Sequence, residues 1–269
     1  MPYVTRAGTT IYWEESGSGE PLLLIMGLGA TLDWWNRLRP IVSTHFRTIL
    51  FDNRGAGKSD VPAGPYSMPE LAADAAAVLD AAGVESAHVF GASMGGMIAQ
   101  EFALHHPSRV RSLILGCTTP GGRDAVPARR EVINALGARA AMTREEAMRL
   151  MAPFIYDRST PAALVEEDFA MRLQTTATND GYFAQLAAIR AWSGALPRLG
   201  QITAPTLVMH GEHDELVPAE NSRIIARAIP QAQLVMLPDA SHIFFTDQCK
   251  AASDAIMSFL DKVTRGVRL

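Results

Sequence analysis

Short apolar runs recur along the chain and alternate with segments that favour helices. Apolar runs without polar alternation, each bounded by Gly or Pro, are typical of parallel strands that are covered on both faces of a sheet. They fall at residues 22–26, 48–51, 88–91, 110–115, 206–209 and 233–237. Ahead of them, residues 4–6 and 11–15 flank a Gly-containing turn and predict an antiparallel hairpin at one edge of the sheet.

Helical segments lie between these predicted strands. An Ala-rich segment ends before Gly83, and two others end at or shortly before Pro107 and Pro230, which are residue types that terminate helices. The predicted helices cover residues 68–82, 97–105, 219–229 and 248–263. Strands that alternate with helices in this way predict an α/β fold, with a mostly parallel central sheet and helices on both of its faces.

Residues 121–196 break this alternation. No strand-like run occurs there, and apolar residues such as Met148, Met151 and Trp192 recur at spacings that suit helices. The pattern predicts a helical insertion of about four helices, most of whose apolar side chains form the insertion's own core. The flanking residues 1–120 and 197–269 then form the α/β core.

Composition narrows the class of partner. The chain has 269 residues, of which 48% are hydrophobic and 19% charged, a balance that suits a globular protein with a sizeable core. Its net charge of -4 and its lack of any Lys or Arg run argue against nucleic acid or an anionic membrane surface as a partner. A small molecule is the expected partner, and a homo-oligomeric state is left open.

The N-terminal sequence and the lack of a membrane span favour a cytoplasmic location, and the cysteines do not suggest a metal site. Residues 1–6 lack the apolar core of a signal peptide, and no stretch approaches the roughly 18 consecutive apolar residues of a membrane span. Cys117 and Cys249 are not spaced as a metal site or a redox pair, so we expect two buried free thiols. No metal is expected.

The strongest chemical signal is the sequence Gly91-Ala92-Ser93-Met94-Gly95, which stands between a predicted strand and a helix-forming segment. In this setting Gly-x-Ser-x-Gly is typical of a sharp turn that exposes the serine hydroxyl in a strained conformation, and the glycines let strand and helix approach. The N-terminus of the helix also favours negative charge beside that hydroxyl. We therefore predict that Ser93 is a catalytic nucleophile.

A serine hydroxyl needs a general base, and the base needs a carboxylate that orients it. In this kind of fold the acid follows the serine along the chain and the histidine comes last. Asp214 lies in the polar loop after the predicted strand 206–209 and is the preferred acid, with Glu212 and Glu215 as alternatives. His242 follows the last predicted strand, from where it can reach the strand ends, and is the preferred base.

Two glycine-rich segments resemble nucleotide-binding motifs but fail the spacing rules of those motifs. The segment 55–59 reads Gly-Ala-Gly-Lys-Ser, and Asp52 stands where a phosphate-binding loop requires its first glycine. The segment 27–29 reads Gly-Leu-Gly, and Leu32 stands where a dinucleotide-binding fingerprint requires its third glycine. No cofactor is expected.

Together these motifs resemble the α/β-hydrolase superfamily, in particular its small esterase, lactonase and pimeloyl-ester-type branch with a helical cap. The resemblance covers nearly the whole chain and is loosest in residues 121–196. It includes residues 52–59, which are similar to the Asp-x-Arg-Gly-x-Gly-x-Ser loop of these enzymes, and the Gly-Glu-x-Asp-x-x-Val-Pro segment around Asp214. Because the first of these loops braces the strand ends in that family, the resemblance implies a structural role for Asp52.

The resemblance also implies an α/β-hydrolase fold in which the backbone N–H groups of Leu28 and Met94 form the oxyanion hole. The chain departs from the family in this loop, because relatives usually carry His-Gly where this sequence has Met26-Gly27. Backbone donors do not need that histidine, so the departure concerns the bracing of the loop.

The expected reaction is hydrolysis of a carboxylic ester or lactone of a small, largely apolar substrate through an acyl-enzyme on Ser93. A C–C bond hydrolase and a cofactor-free haloperoxidase of the same fold are alternatives, as is a ligand sensor that has kept the fold. The substrate pocket is expected to be apolar, with Trp34 and Trp192 as candidate lining residues alongside Trp35 and Met94. For Trp34 and Trp35, helix packing is the favoured role and pocket lining the alternative.

Overall fold

One eight-stranded sheet forms the centre of the computed structural model, which describes residues 2–138, 142–176 and 178–267. The strands are β1 (Tyr3–Arg6), β2 (Thr9–Ser16), β3 (Glu20–Ile25), β4 (Phe46–Phe51), β5 (Ala87–Ala92), β6 (Val110–Gly116), β7 (Thr206–Gly211) and β8 (Gln233–Leu237). Their order in the sheet is β1-β2-β4-β3-β5-β6-β7-β8. The pairs β1/β2 and β2/β4 are antiparallel, and all other neighbours are parallel. The predicted hairpin edge and mostly parallel sheet are therefore confirmed.

The central strands are buried because hydrophobic cores lie on both faces of the sheet. Every residue of β5 and β7 is buried. Within β3, Leu23 and Ile25 pack into one core, whereas Leu22 and Leu24 pack into the other. Successive side chains of a strand point to opposite faces, so a strand buried on both faces has a continuous apolar sequence.

Helices cover both faces of the sheet and also fill the chain between β6 and β7. They are α1 (Arg39–Val42), α2 (Met68–Ala81), α3 (Met94–His105), α4 (Arg130–Ala138), α5 (Arg144–Ile155), α6 (Ala162–Leu173), α7 (Asn179–Ala191), α8 (Glu220–Ala228), α9 (Phe244–Asp247) and α10 (Cys249–Thr264). The apolar faces of α2, α3 and α8 pack into one core, and those of α1 and α10 pack into the other. The helices therefore form the two outer layers of a three-layer α/β structure.

The helices α4 to α7 lie between β6 and β7, within the segment where the sequence predicts a helical insertion. Hydrogen bonds connect these helices to loops at the carboxyl ends of the parallel strands. Gln185 in α7 accepts a hydrogen bond from the Gly29 N–H at 2.8 Å and donates to the Arg54 carbonyl at 2.7 Å. The N–H of Ile243, beside His242, donates to the carbonyl of Ile155 in α5 at 2.9 Å. These helices therefore cover the end of the sheet at which parallel strands deliver their loops.

The predicted boundary of one helix is wrong in a way that bears on the site. The helix expected at residues 97–105 begins at Met94, directly after Ser93. Gly95 and Gly96 thus lie inside the helix, although glycine disfavours helices. In the structure these glycines allow close packing, since a Cβ on Gly96 would lie 2.5 Å from the Thr118 side chain.

The two cysteines differ in burial. Both cysteines are free thiols, and Cys117 is buried. Cys249 is only partly buried, so the expectation of two buried thiols is wrong for it; this residue begins α10 beside the exposed Lys250. Among the described residues, we find no helix whose length and apolar content would let it cross a bilayer.

Candidate active site

Ser93 joins β5 to α3 at a sharp turn. Its backbone has φ 58° and ψ -121°, a positive-φ conformation that a serine adopts only under strain. Its neighbours make the turn possible, because a Cβ on Gly91 would lie 2.1 Å from the carbonyl oxygen of Gly95. A Cβ on Gly95 would lie 2.0 Å from the carbonyl oxygen of Ile25 in β3. The predicted need for glycine at positions 91 and 95 is confirmed.

Ser93, His242 and Asp214 form a continuous chain of hydrogen bonds. Nδ1 of His242 lies 2.7 Å from Oδ2 of Asp214, and Nε2 of His242 lies 3.0 Å from Oγ of Ser93. Because a carboxylate can only accept, Nδ1 carries the hydrogen, and the neutral imidazole is then left with an acceptor at Nε2 for the Ser93 hydroxyl. The structure thus brings together the three side chains that the sequence singled out, in an arrangement suited to proton transfer from the serine.

Asp214 is buried and fully hydrogen-bonded. Its Oδ1 accepts from the backbone N–H of Val217 at 2.8 Å, while Oδ2 faces His242. Burial by itself would raise the pKa of Asp214, but the charge of His242 and hydrogen bonds from His210 and His242 outweigh it and lower the pKa to about 2. The carboxylate therefore stays ionised at neutral pH.

The other two candidate acids point away from this chain of hydrogen bonds. Glu212 is exposed, and Glu215 pairs with Arg129 at the surface. In the structure only Asp214 of the three contacts His242.

Sequence reasoning missed His210, which is fully buried near the end of β7. Its Nε2 lies 2.9 Å from Oδ2 of Asp214 and 2.8 Å from the carbonyl oxygen of Val217, and both of these atoms are acceptors. Nε2 therefore carries a hydrogen, and Nδ1 accepts from the Ser222 hydroxyl at 2.6 Å. The available signal was a polar residue inside an otherwise apolar strand, since a buried polar side chain needs partners.

Two backbone amides beside Ser93 are the candidate oxyanion donors. A Cβ on Gly27 would lie 3.0 Å from Cβ of Ser93, so the loop that carries Leu28 is packed directly against the serine. Met94 is the first residue of α3, where N–H groups lack a partner within the helix. Neither the Leu28 nor the Met94 amide donates to an acceptor among the described residues. Both donors are thus free for a ligand.

The loop after β3 is braced without the histidine that relatives carry. The side-chain amide of Asn53 donates to the carbonyl of Met26 at 2.9 Å. Asp52 is buried and accepts from the backbone N–H groups of Leu32 and Lys58, at 2.8 Å each. Burial raises the pKa of Asp52, and both of its oxygens are used in holding loops together. The contacts of Asp52 are those of a structural residue.

A cavity of about 550 Å³ opens onto Ser93 and His242. Most of its wall is apolar, and both candidate pocket tryptophans, Trp34 and Trp192, contribute to it. Trp192 is fixed by its indole N–H, which donates to the buried Glu101 in α3 at 2.7 Å. The apolar lining comes from the loop after β3, from the insertion and from the loops after β7 and β8, as in Leu28, Met151, Leu186, Val217 and Phe245.

Trp35 has the packing role that the sequence favours for it, whereas the expectation that Met94 lines the pocket is wrong. Trp35 is fully buried and packs against Phe90 and Phe245, with ring centroids 4.9 and 5.7 Å away. The side chain of Met94 is fully buried on the α3 face of the sheet. Successive residues of a short helical turn point in different directions, so Trp34 faces the cavity while Trp35 faces the core.

The comparison with known families agrees with this geometry. The sequence profile of the alpha/beta hydrolase fold matches residues 20–248. This chain belongs to the alpha/beta hydrolase family. The match includes the strand-to-helix turn at Ser93, the Asp214 loop and His242.

Similar proteins are hydrolases of several kinds. The putative carbamate hydrolase RutD of Azorhizobium caulinodans is 32% identical over 270 residues, covering 98% of this chain and 99% of that protein. The 2-hydroxy-6-oxononadienedioate/2-hydroxy-6-oxononatrienedioate hydrolase 1 of Dechloromonas aromatica is 33% identical over 263 residues, covering 93% and 90%. The enol-lactonase from Burkholderia xenovorans has a TM-score of 0.85 at 27% identity, covering 97% of this chain and 100% of that one. These relatives support hydrolase activity.

Proposed function

We propose that this protein is a serine hydrolase that cleaves a carboxylic ester or a lactone through an acyl-enzyme on Ser93. The observation that carries the proposal is the chain of hydrogen bonds from the Ser93 hydroxyl through His242 to Asp214, at the wall of an apolar cavity. A nucleophile, a base and an orienting carboxylate in these positions suit acyl transfer to water.

In the first half-reaction, Nε2 of His242 takes the proton of the Ser93 hydroxyl while Oγ attacks the substrate carbonyl carbon. The amides of Leu28 and Met94 donate to the oxyanion of the tetrahedral intermediate. His242 returns the proton to the leaving oxygen as the C–O bond breaks, and Asp214 stabilises the imidazolium throughout. Water then attacks the acyl-enzyme with His242 as base, which releases the acid and restores Ser93.

The shape of the site suggests the kind of acyl group. We propose that residues 121–196 form a cap over a core built from residues 1–120 and 197–269, and that the substrate binds between them. Trp34 and Trp192 would contact it there. An apolar cavity of about 550 Å³ suits a small-molecule substrate with a compact or medium-length hydrophobic body.

The proposal is tested by labelling with a fluorophosphonate probe, which reacts covalently with activated serines. Wild type should be labelled and Ser93→Ala should not. Ser108→Ala should serve as a control, because Ser108 is exposed and does not belong to the cavity wall. Failure to label wild type, or equal labelling of Ser93→Ala, would contradict the proposal. A labelled protein that hydrolyses no ester or lactone would favour a C–C bond hydrolase, and an unlabelled protein that binds a ligand would favour a sensor.

A further inference from the structure

We propose that the substrate carries an anionic group, such as a carboxylate, at the end remote from the scissile bond, and that Arg123 and Arg190 bind this group at the cavity mouth. The inference rests on the proposed function of Ser93 and adds the class of substrate to it.

Both arginines belong to the cavity that Ser93 and His242 line. Arg123 lies in the short turn Gly122–Asp124, and Arg190 lies in the last turn of α7. Each contributes to the wall of the cavity, and each is also exposed to solvent. A residue that is both part of the wall and exposed stands at the opening, so both arginines lie where a substrate enters.

The two arginines stand on chain segments that pack against each other. A Cβ on Gly121 would lie 2.4 Å from the ring of Trp192, and a Cβ on Gly122 would lie 2.3 Å from the carbonyl oxygen of Ser193. The loop that carries Arg123 is therefore pressed against the segment that directly follows Arg190. The chain segments that carry the two arginines are thereby held on one side of the opening.

Neither charge is neutralised by the protein. Within the part of the chain that the structure describes, no carboxylate lies within ion-pair distance of Arg123 or Arg190, and no Asp or Glu belongs to the cavity wall. Other arginines nearby are paired, since Arg129 pairs with Glu215 and Arg198 with Glu101. Asp124 neighbours Arg123 in sequence without pairing with it.

Apart from the oxyanion donors beside Ser93, which face the scissile bond, the interior of the cavity is mostly apolar. Two polar side chains of the wall, Thr119 and Asn221, bond to each other at 3.2 Å, and Asn221 also bonds the backbone of Val126. An apolar interior with a cationic opening matches a molecule whose apolar body enters the cavity while an anionic end stays at the mouth. Because the arginines are exposed, their attraction for that end should weaken as salt is added.

The inference can be tested by binding, without any need for turnover. In the Ser93→Ala protein, calorimetry would compare monoethyl adipate with ethyl hexanoate, two esters of equal acyl length that differ in a remote carboxylate. We expect monoethyl adipate to bind about 10-fold more tightly at low ionic strength, with most of this preference lost at about 0.5 M salt. Arg123→Gln together with Arg190→Gln should bring the ratio of the two dissociation constants close to one. Arg130 is an exposed arginine outside the cavity wall, so Arg130→Gln should preserve the ratio.

The inference would be overturned if the two esters had similar dissociation constants while both arginines are present. It would also be overturned if the preference for monoethyl adipate were unchanged after both arginines are replaced. Fluorophosphonate labelling of Ser93 is scored separately. Labelling without an anion preference would support the serine hydrolase and contradict the role of the arginines. An anion preference without labelling would support anion binding by the arginines and contradict the serine hydrolase.

Discussion

His210 and Asp214 share a buried hydrogen bond of 2.9 Å, made to the same carboxylate oxygen that His242 approaches at 2.7 Å. Two imidazole N–H groups thus donate to Oδ2, while Oδ1 accepts from the Val217 amide. A donor from a second side reduces the negative charge available to His242 and fixes the orientation of the carboxylate. His210 therefore acts on the site through Asp214, as a positioning residue.

Replacing His210 with leucine should lower kcat about 10-fold or more, because Asp214 would lose one of the contacts that aim it at His242. KM should change little, since His210 does not belong to the cavity wall. Steady-state kinetics measure both quantities.

His210→Gln is the matched variant, because its side-chain amide keeps an N–H donor. It should recover part of the lost kcat. If the leucine and glutamine variants had the same kcat as each other, His210 would be a packing residue only. Urea unfolding of both variants would show whether loss of folding contributes.

Asp214→Asn should lower turnover of a p-nitrophenyl ester by roughly 10⁴-fold, because an amide favours the wrong tautomer of His242 and cannot stabilise the imidazolium. Glu212→Gln and Glu215→Gln are controls of similar chemistry in the same loop, and both should remain nearly as active as wild type. Initial rates at saturating substrate should be measured for wild type and for the three variants. Near-normal turnover in Asp214→Asn would exclude this aspartate as the orienting acid.

Acid should destabilise the folded protein partly through Asp214. Its pKa is about 2 in the folded state against an ordinary value of 3.8, so the stability that it contributes is present above about pH 4 and is lost as the pH falls toward 2. The shift corresponds to about 2 kcal/mol of unfolding free energy. Urea unfolding between pH 6 and 3 should therefore show a smaller acid-induced loss in Asp214→Asn than in wild type, and equal losses would contradict the lowered pKa.

Gly95→Ala should destabilise the protein by about 3 kcal/mol or more, because the new Cβ would meet the Ile25 carbonyl at 2.0 Å and neither backbone can move freely. Gly137→Ala is the control, since a Cβ on this residue of α4 has no neighbour within 4 Å among the residues that the structure describes. It should stabilise the protein by roughly 0.5–1 kcal/mol through helix propensity. Thermal or urea unfolding gives both values, and equal effects at the two positions would contradict the close approach of β3 and α3.

Much of this protein follows from the sequence alone, because the relevant signals are local. Continuous apolar runs identify strands that are covered on both faces, and glycines at 91 and 95 identify the turn that exposes Ser93. The order of Ser93, Asp214 and His242 along the chain also follows from the position of each residue after a predicted strand. Each of these conclusions needs only periodicity or a short motif.

Other features arise only when distant segments meet. His242 lies 149 residues from Ser93. The sheet order β5-β6-β7-β8, in which the loops after parallel strands emerge at one end of the sheet, does not follow from any local pattern. The choice of Asp214 over Glu212 and Glu215, the second donor at His210 and the unpaired arginines at the cavity mouth all depend on such contacts. A sequence shows which side chains are polar, but the energy of a hydrogen bond or an ion pair depends on the distance between partners, and only the folded chain sets that distance.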